Sequence, residues 1–166
     1  MKKFGRCQNG AAAVATVIFL PVALLLASLV LDVGRLLLAK RNLSLAADMG
    51  ALAGAQELDL GALWYGKRVL LESAARSTAR ETVEANIQAN LPGWQGLASA
   101  CIVATVYNAE KGCELVHPGT RRILQDPTVC ITVKMPIRLS VVPGPPGGIT
   151  VSTHADASVL GKKRVP

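Results

Sequence analysis

The chain has 166 residues, a formal net charge of +7 and a hydrophobic content of 51%, yet only 4% of its residues are aromatic. Its length allows one membrane element and one modest domain rather than two independent cores. The basic residues are scattered along the whole chain instead of gathering on one face beside aromatic rings, which argues against nucleic acid as a partner.

Residues 11–31 form an uncharged apolar run of 21 residues, AAAVATVIFLPVALLLASLVL. As a helix this run would be about 32 Å long, close to the thickness of the hydrocarbon core of a bilayer, and it has no polar face. A cleaved secretory signal has an apolar core of about 7–15 residues and then a small-residue cleavage site, whereas a charged, helix-forming segment follows here directly. We therefore predict a membrane-spanning anchor in the lipid bilayer, in preference to a cleaved signal or a buried core helix.

Basic side chains flank this run on both sides, three before it and three in the segment after it, so their count alone does not fix the orientation. The first three cluster in residues 1–10, a short basic leader beside the span. The other three are spread along a helix that precedes a long domain. We therefore predict that the leader is cytoplasmic and that the rest of the chain is exported.

Residues 32–58, DVGRLLLAKRNLSLAADMGALAGAQEL, are helix-forming throughout, so we expect the membrane helix to continue into water as an extended helix over residues 32–60. Small residues recur there at helical spacing, with Ala46, Gly50 and Gly54 on one stripe and Ala47 and Ala51 beside it. Such small side chains let another backbone approach closely. The stripe is either buried against the chain's own domain or forms a face for helix–helix assembly, and the sequence leaves both alternatives open.

A second, more polar helix is expected within residues 61–95. We place a break at Gly61, the helix over residues 67–90, and its end at the Leu-Pro-Gly sequence of residues 91–93, with a linker to residue 95.

Residues 96–161 change to an extended pattern, which predicts a β-rich exported domain. A hairpin and two further strands are expected, followed by a basic tail at residues 162–166. The hairpin pairs residues 101–107 with residues 113–116. The third strand covers residues 129–135, and Pro136 is expected to interrupt or redirect a continuation over 137–142. A stiff loop covers 143–148, and the last strand covers 149–160. The fold class is therefore α+β: an N-terminal transmembrane helix that continues into a long helix, a second helix, and a small, mainly antiparallel sheet of about four strands.

The pattern DVGRL-xx-AKR-xL-xx-AAD-xx-ALAGA after Leu31, with Gly10 and the Leu-Pro-Val of residues 20–22, resembles the N-terminal region of TadG-like proteins. These belong to the TadE/TadG-like group associated with tight-adherence (Flp) pilus assembly. The segments VCITVKMP and ITVSTHADASV resemble the sheet of that family more loosely.

The resemblance implies a pseudopilin-like structural or assembly component of a Tad/Flp-type pilus or related secretion system, without catalytic activity. It would be a single-pass protein of the bacterial inner (cytoplasmic) membrane or part of a surface filament. Its partners would be other membrane proteins of the pilus or secretion apparatus, including copies of itself. The alternative is a membrane-anchored extracytoplasmic binding or sensor module with no role in pili.

Gly10 follows the basic leader as at a prepilin-peptidase site, and cleavage there would leave Ala11 as the new N-terminus. Pilins commonly carry Glu at the fifth mature position, where this chain has Ala15. A carboxylate buried in the membrane would need a positively charged partner group, whereas Ala15 needs none. This difference fits TadG-like members better than true pilins. The alternative is a glycine before a helix that no peptidase cuts.

No pattern in the chain predicts catalysis. The four cysteines form no CxxC pair and have no nearby histidine that would complete a zinc site, and the GxSxG, P-loop, GxGxxG and HExxH motifs do not occur. His117 and His154 are expected to be surface or packed side chains. We therefore expect a non-enzyme with no metal, cofactor, catalytic residue or small-molecule substrate.

The cysteines after the span would lie where disulfides persist, and Cys7 would stay reduced in the cytoplasm. The expected hairpin separates Cys101 from Cys113 by about 15–20 Å, and an antiparallel strand at residues 129–135 would bring Cys130 near the turn. We therefore predict a Cys113–Cys130 bridge, with Cys101 free and packed as a small apolar residue. The alternative is that no bridge forms.

Overall fold

The computed structural model describes residues 8–91, 100–109, 115–116, 123–137 and 149–159, with side chains from residue 12 onward except at 115–116. Residues 1–7 of the predicted leader, the linker after the second helix, the 143–148 loop and the basic tail lie outside these residues, as do Cys7, Cys113 and His117. The predicted α+β class is confirmed. The elements in chain order are α1 (Gln8–Ala55), α2 (Leu60–Trp64), α3 (Glu72–Asn90), β1 (Cys101–Tyr107), β2 (Leu115–Val116), β3 (Ile123–Leu124), β4 (Thr128–Ile137) and β5 (Ile149–Ser158).

Helix α1 is one continuous helix of 48 residues, about 72 Å long at 1.5 Å per residue. The apolar run and the helix-forming segment after it therefore form a single rod, as expected. Pro21 lies inside this helix. Proline is tolerated in membrane helices because local adjustments of the helix satisfy the freed carbonyl groups.

The break after α1 comes earlier than Gly61, which corrects the sequence prediction. Helix α1 ends at Ala55, and Gly61 lies inside the short helix α2. The Asp59 carboxylate caps α2, accepting hydrogen bonds from the backbone N–H groups of Gly61 at 2.8 Å and Ala62 at 3.2 Å. Gly66 follows α2 with φ +75°, a left-handed conformation that glycine adopts without steric cost.

Helix α3 begins at Glu72 rather than at residue 67 because the preceding residues are used as extended backbone. The Asp59 N–H donates to the Val69 carbonyl and the Leu71 N–H donates to the Glu57 carbonyl, both at 2.9 Å. Residues 67–71 therefore lie beside the chain that leaves α1 and close a narrow loop around α2. The helix ends at Asn90, as the Leu-Pro-Gly sequence predicts.

In the part of the chain that the structure describes, the main sheet has three antiparallel strands in the order β1-β4-β5, and β2 pairs with β3 in a separate two-stranded sheet. The expected hairpin between residues 101–107 and 113–116 is therefore wrong. The chain leaving β1 is held elsewhere, because the Asn108 side chain accepts from the Leu70 N–H at 2.8 Å and donates to the Leu70 carbonyl at 3.1 Å. Asn108 is thus bound to the segment before α3 instead of starting a tight turn back along β1.

Strand β4 passes through Pro136 without interruption and ends at Ile137, which corrects the expectation of a break; the continuation expected over 138–142 lies outside the described residues. The register shows where this proline lies. Among the described residues, pairing with β1 reaches Cys101 opposite Lys134, and the residue described opposite Pro136 is Thr150 of β5. Proline cannot donate to the hydrogen-bond ladder, so sheets accept it mainly where a strand needs no N–H donor.

One face of the sheet packs on α1 and α3. Alternate β4 residues point to the helices and are 0–2% exposed, and α3 buries every fourth residue against them; these are Val129, Ile131, Val133, Met135 and Ile137 of β4 and Ala75, Ala79, Val83 and Ile87 of α3. The periods of two and about 3.6 residues are those of a half-buried strand and an amphipathic helix. The core therefore lies between the sheet and the second half of α1.

Candidate membrane and packing surfaces of the long helix

No described part of the domain packs on the first part of α1. The side chains of residues 12–31 are exposed apart from Ser28, which is half-buried, and large apolar residues such as Val17 (73%) and Phe19 (70%) face outward. The Thr16 and Ser28 hydroxyls donate to the carbonyls of Ala12 at 2.9 Å and Leu25 at 2.8 Å within the same helix. Polar groups that are satisfied inside the helix need no water. This apolar segment is long and apolar enough to cross a membrane.

Burial along α1 begins where the apolar segment ends. Asp32 is 2% exposed, and Ala39 and Leu43 further along the same face are fully buried. The described part of the domain therefore covers one face of α1 from residue 32 onward and leaves residues 12–31 exposed. This boundary separates a part suited to lipid from a part suited to water.

Helix α3 and strand β4 pack on the small-residue stripe. Ala46, Ala47 and Ala51 are 0–1% exposed, and both glycines are buried. A Cβ atom added to Gly50 would overlap the Val83 side chain and lie 2.8 Å from the Ala79 carbonyl oxygen.

At Gly54 the corresponding atom would lie 2.9 Å from the Ala75 carbonyl oxygen. Real Cβ atoms almost never approach other atoms this closely, so α3 crosses α1 at a distance that only glycine permits. The structure thus places the stripe inside the chain's own domain.

The candidate processing site lies at the start of α1. The backbone of Gly10 and Ala11 is helical, in the first two turns. Cleavage between them would leave nearly the whole of α1 intact. It stays a prediction.

The outer face of the sheet carries a hydrogen-bonded polar group that sequence reasoning did not identify. His154 Nε2 lies 2.8 Å from Asp156 Oδ1, and His154 Nδ1 lies 3.1 Å from Thr132 Oγ1. Cys130 is directly opposite Asp156 in the β4–β5 register. The only sequence signal was alternation along β4 and β5, which placed these residues on one face without showing that their strands are neighbours.

The Cys130 thiol is held protonated. Burial raises its pKa to about 12, and its hydrogen bond to Asp156 and the charge of that carboxylate act in the same direction. A nucleophilic cysteine needs a lowered pKa, because the thiolate is the reactive form. The surroundings of Cys130 disfavour its thiolate and therefore do not suit nucleophilic chemistry. Among the described residues, no group of three or more His, Cys, Asp or Glu side chains could hold a metal ion.

The sheet register bears on the predicted disulfide. Cys101 pairs with Lys134, four residues along β4 from Cys130, so the two cysteines are about 13 Å apart at 3.3 Å per residue. This exceeds the span of a disulfide, about 7 Å between Cα atoms. A Cys113–Cys130 bridge stays a prediction because Cys113 lies outside the described residues.

Cys101 is exposed, which corrects the expectation that it is packed as a small apolar residue. It is exposed because it begins an edge strand and lies on the outer face of the sheet.

Thiol labelling is expected to distinguish the two cysteines. After reduction of any disulfides, a maleimide at pH 8 should modify exposed Cys101 and spare Cys130 in the folded chain. Because the pKa of Cys130 is raised from 9.0 to about 12, the folded chain keeps a proton that the unfolded chain loses. The contribution of Cys130 to the free energy of unfolding is therefore constant below pH 9 and is lost as pH rises toward about 12. Rapid labelling of Cys130 at pH 8 without unfolding would contradict this.

The end of the domain farthest from the apolar segment presents an aromatic tip, Leu60, Trp64 and Tyr65. Trp64 is 89% exposed, Tyr65 84% and Leu60 76%, and α2 buries none of its residues. Helix α1 ends about 36 Å beyond Leu31, since residues 32–55 each add 1.5 Å, and the tip follows that end. Aromatic side chains exposed to this degree are typical of contact surfaces.

Comparison with known proteins gives a match over the first part of the chain. Residues 10–57 match the family model described as Flp pilus-assembly TadE/G-like. The match covers the apolar segment, the small-residue stripe and the end of α1. No curated protein and no solved structure matches the chain.

Proposed function

The chain belongs through residues 10–57 to the TadE/G-like family of Flp pilus-assembly proteins, and on this premise we propose that it is a pseudopilin-like structural or assembly component of a Tad/Flp-type pilus or related secretion system. It is a pilus-associated membrane protein of a family that assembles rather than catalyses. The proposal adds a mechanical role: the chain holds an exported domain at a set distance from the membrane.

The observation that carries this role is the continuity of α1. One helix of 48 residues includes both the apolar segment and the seat of the domain. The domain docks along the helix through fully buried alanines and through two glycines that tolerate no side chain. A domain packed this closely on a helix cannot swing freely about the membrane exit, so the aromatic tip is presented at a defined height.

We propose that the leader is cytoplasmic and that residues after Leu31 lie outside the inner membrane. The clustered positive charge before the apolar segment supports this orientation. A membrane-impermeant maleimide should therefore label exposed Cys101 in intact spheroplasts. Labelling of Cys101 only after permeabilisation would reverse the topology.

The function is tested by capture and by deletion in the source bacterium. The tagged full-length chain, cross-linked in cells and purified from solubilised membranes, is expected to bring down membrane proteins of the pilus or secretion apparatus. The untagged strain is the control. A deletion strain should lose surface pili and regain them when the gene is restored. The mass of the purified chain also reports whether the leader is removed after Gly10.

Normal piliation in the deletion strain, with no apparatus protein captured, would overturn the proposal. A second candidate would then lead: a membrane-anchored extracytoplasmic binding or sensor module without a role in pili. The aromatic tip favours it, because exposed Trp64 and Tyr65 suit an apolar groove on a protein partner. In that case the captured protein should be an envelope protein whose recovery is lost in the Trp64→Ala chain.

A further inference from the structure

Helix α1 carries a row of leucines at strict seven-residue spacing: Leu24, Leu31, Leu38, Leu45 and Leu52. All five are exposed, between 49% and 62%. Residues seven apart in an α-helix drift by only about 20° around its axis, so the five side chains form one line. This leucine row runs from the apolar segment through the boundary at residue 32 to the end of the domain seat.

The leucine row lies opposite the domain. Leu43 is 0% exposed and Leu45 is 49% exposed. Their side chains point about 200° apart around the helix axis, because the two residues are two positions apart in the sequence. The domain therefore covers one face of α1 and leaves the row uncovered. Lipid does not account for the far half of the row, because Leu45 and Leu52 lie about 21 and 32 Å beyond Leu31 along the helix.

We propose that two copies of this chain pair side by side through the leucine row, with their α1 helices parallel and in register. Leucine repeated every seven residues supplies one of the two core positions of each heptad in a left-handed coiled-coil seam, and Met49 adds an apolar side chain at the other core position. Arg41 and Asp48 flank the row and are exposed, where they would form a polar rim. The inference rests on the membrane-spanning helix and not on the pilus role.

The size of the aqueous part of the row argues for a partner in the same membrane. Full burial of a leucine corresponds to roughly 60–120 Å² of apolar surface, so Leu38, Leu45, Leu52 and Met49, each about half exposed, would bury roughly 120–240 Å² per partner. A stable interface between freely diffusing proteins needs about 800 Å² per partner. The aqueous leucines alone are therefore too few to hold a soluble protein.

A second copy removes this shortfall. Anchoring in one bilayer fixes both helices parallel and raises their effective concentration. It also extends the contact through Leu31 and Leu24 inside the membrane, where side-chain packing holds helices together. A second copy supplies the same row at the same heights above the bilayer, so that each leucine meets its own counterpart in a two-fold arrangement.

Photo-cross-linking tests the proposal with a matched control on the next residue. Leu37 and Leu38 are exposed to 61% and 62% but point about 100° apart around α1. A photoreactive amino acid is placed at residue 38, 45 or 37 of the full-length chain, in membranes of a host without pilus genes. The photoreactive group at residue 38 or 45 should give a product of twice the chain's mass in about tenfold higher yield than at residue 37. That ratio is expected for a contact that changes the affinity about tenfold. Equal yields, or a product containing only a different protein, would overturn the proposal.

Substitution gives a second measurement on the same chain. Two differently tagged copies are co-expressed and one is purified from mild detergent. Leu38→Glu with Leu45→Glu should lower recovery of the second copy about tenfold, whereas Leu37→Glu should leave it unchanged. Resistance of the domain to protease should stay the same in all variants, since the row lies outside the core. Undiminished recovery of the double variant would refute the pairing and would leave the proposed pilus role untouched, because neither readout depends on pili.

Discussion

Gly50→Leu is expected to lower the free energy of unfolding of the domain by about 3 kcal/mol or more, the upper end of the cost of overpacking. Gly50 faces the Val83 side chain, the Ala79 carbonyl oxygen 2.8 Å from an added Cβ, and Ile131 Cδ1 at 3.0 Å. The backbone oxygen cannot move without displacing α3. A leucine would therefore separate α3 and β4 from α1 rather than repack locally.

Gly34→Leu is the matched control, because it makes the same change on the same helix. An added Cβ at Gly34 meets no atom within 4 Å. Leucine is also a better helix former than glycine by up to about 1 kcal/mol, so this variant should be as stable as the wild type or slightly more so. Denaturant titration of the full-length chain in detergent, followed by circular dichroism or protease resistance, compares the two. Equal midpoints for Gly50→Leu and wild type would show that the close approach of α3 is not needed.

Leu20→Lys combined with Leu25→Lys is expected to release the chain from the membrane. The wild-type chain should stay in the membrane pellet through high salt and carbonate, because burial of an apolar helix is not screened by salt. A lysine near the centre of a membrane helix costs about 2.5–3.5 kcal/mol, so two cost about 5–7 kcal/mol. Both positions are exposed, at 58% and 67%, and contribute nothing to the packed domain.

Trp64→Lys is the control for that experiment. It adds the same charge at an exposed site about 36 Å beyond the apolar segment and should leave the chain in the pellet. Immunoblots of fractionated cells measure the distribution, and protease resistance of the domain reports its fold. Wild-type chain recovered in the soluble fraction would refute the membrane anchor. A double-lysine chain that still resists carbonate would show that residues 12–31 are not the anchoring segment.

The elements that the sequence determined are those set by neighbouring residues. The membrane-length helix follows from an uncharged run alone, because the cost of burying charge in lipid acts on each residue separately. The uninterrupted α1 follows from helix propensity between residues 32 and 55, where no proline occurs. Strand β1 covers the predicted residues, Cys101–Tyr107, because alternation and β-branched side chains are local signals.

The tertiary structure decided which elements meet. Asn108 is a residue type that favours tight turns. Only its hydrogen bonds to Leu70, 38 residues earlier in the chain, show that it does not form the turn of a hairpin between β1 and β2. Pro136 is a strand breaker by residue type, and only the register of β4 with β5 shows that it continues the strand opposite Thr150.

The small-residue stripe is the plainest case of this division. Spacing showed that Ala46, Gly50 and Gly54 share a face, yet the same spacing serves a domain contact and an assembly contact equally well. Val83, Ala79 and Ile131 decide the matter, and they come from α3 and β4, between 29 and 81 residues further along the chain. Local sequence specifies which surface a helix offers, whereas the partner is the element whose packing against that surface lowers the free energy most.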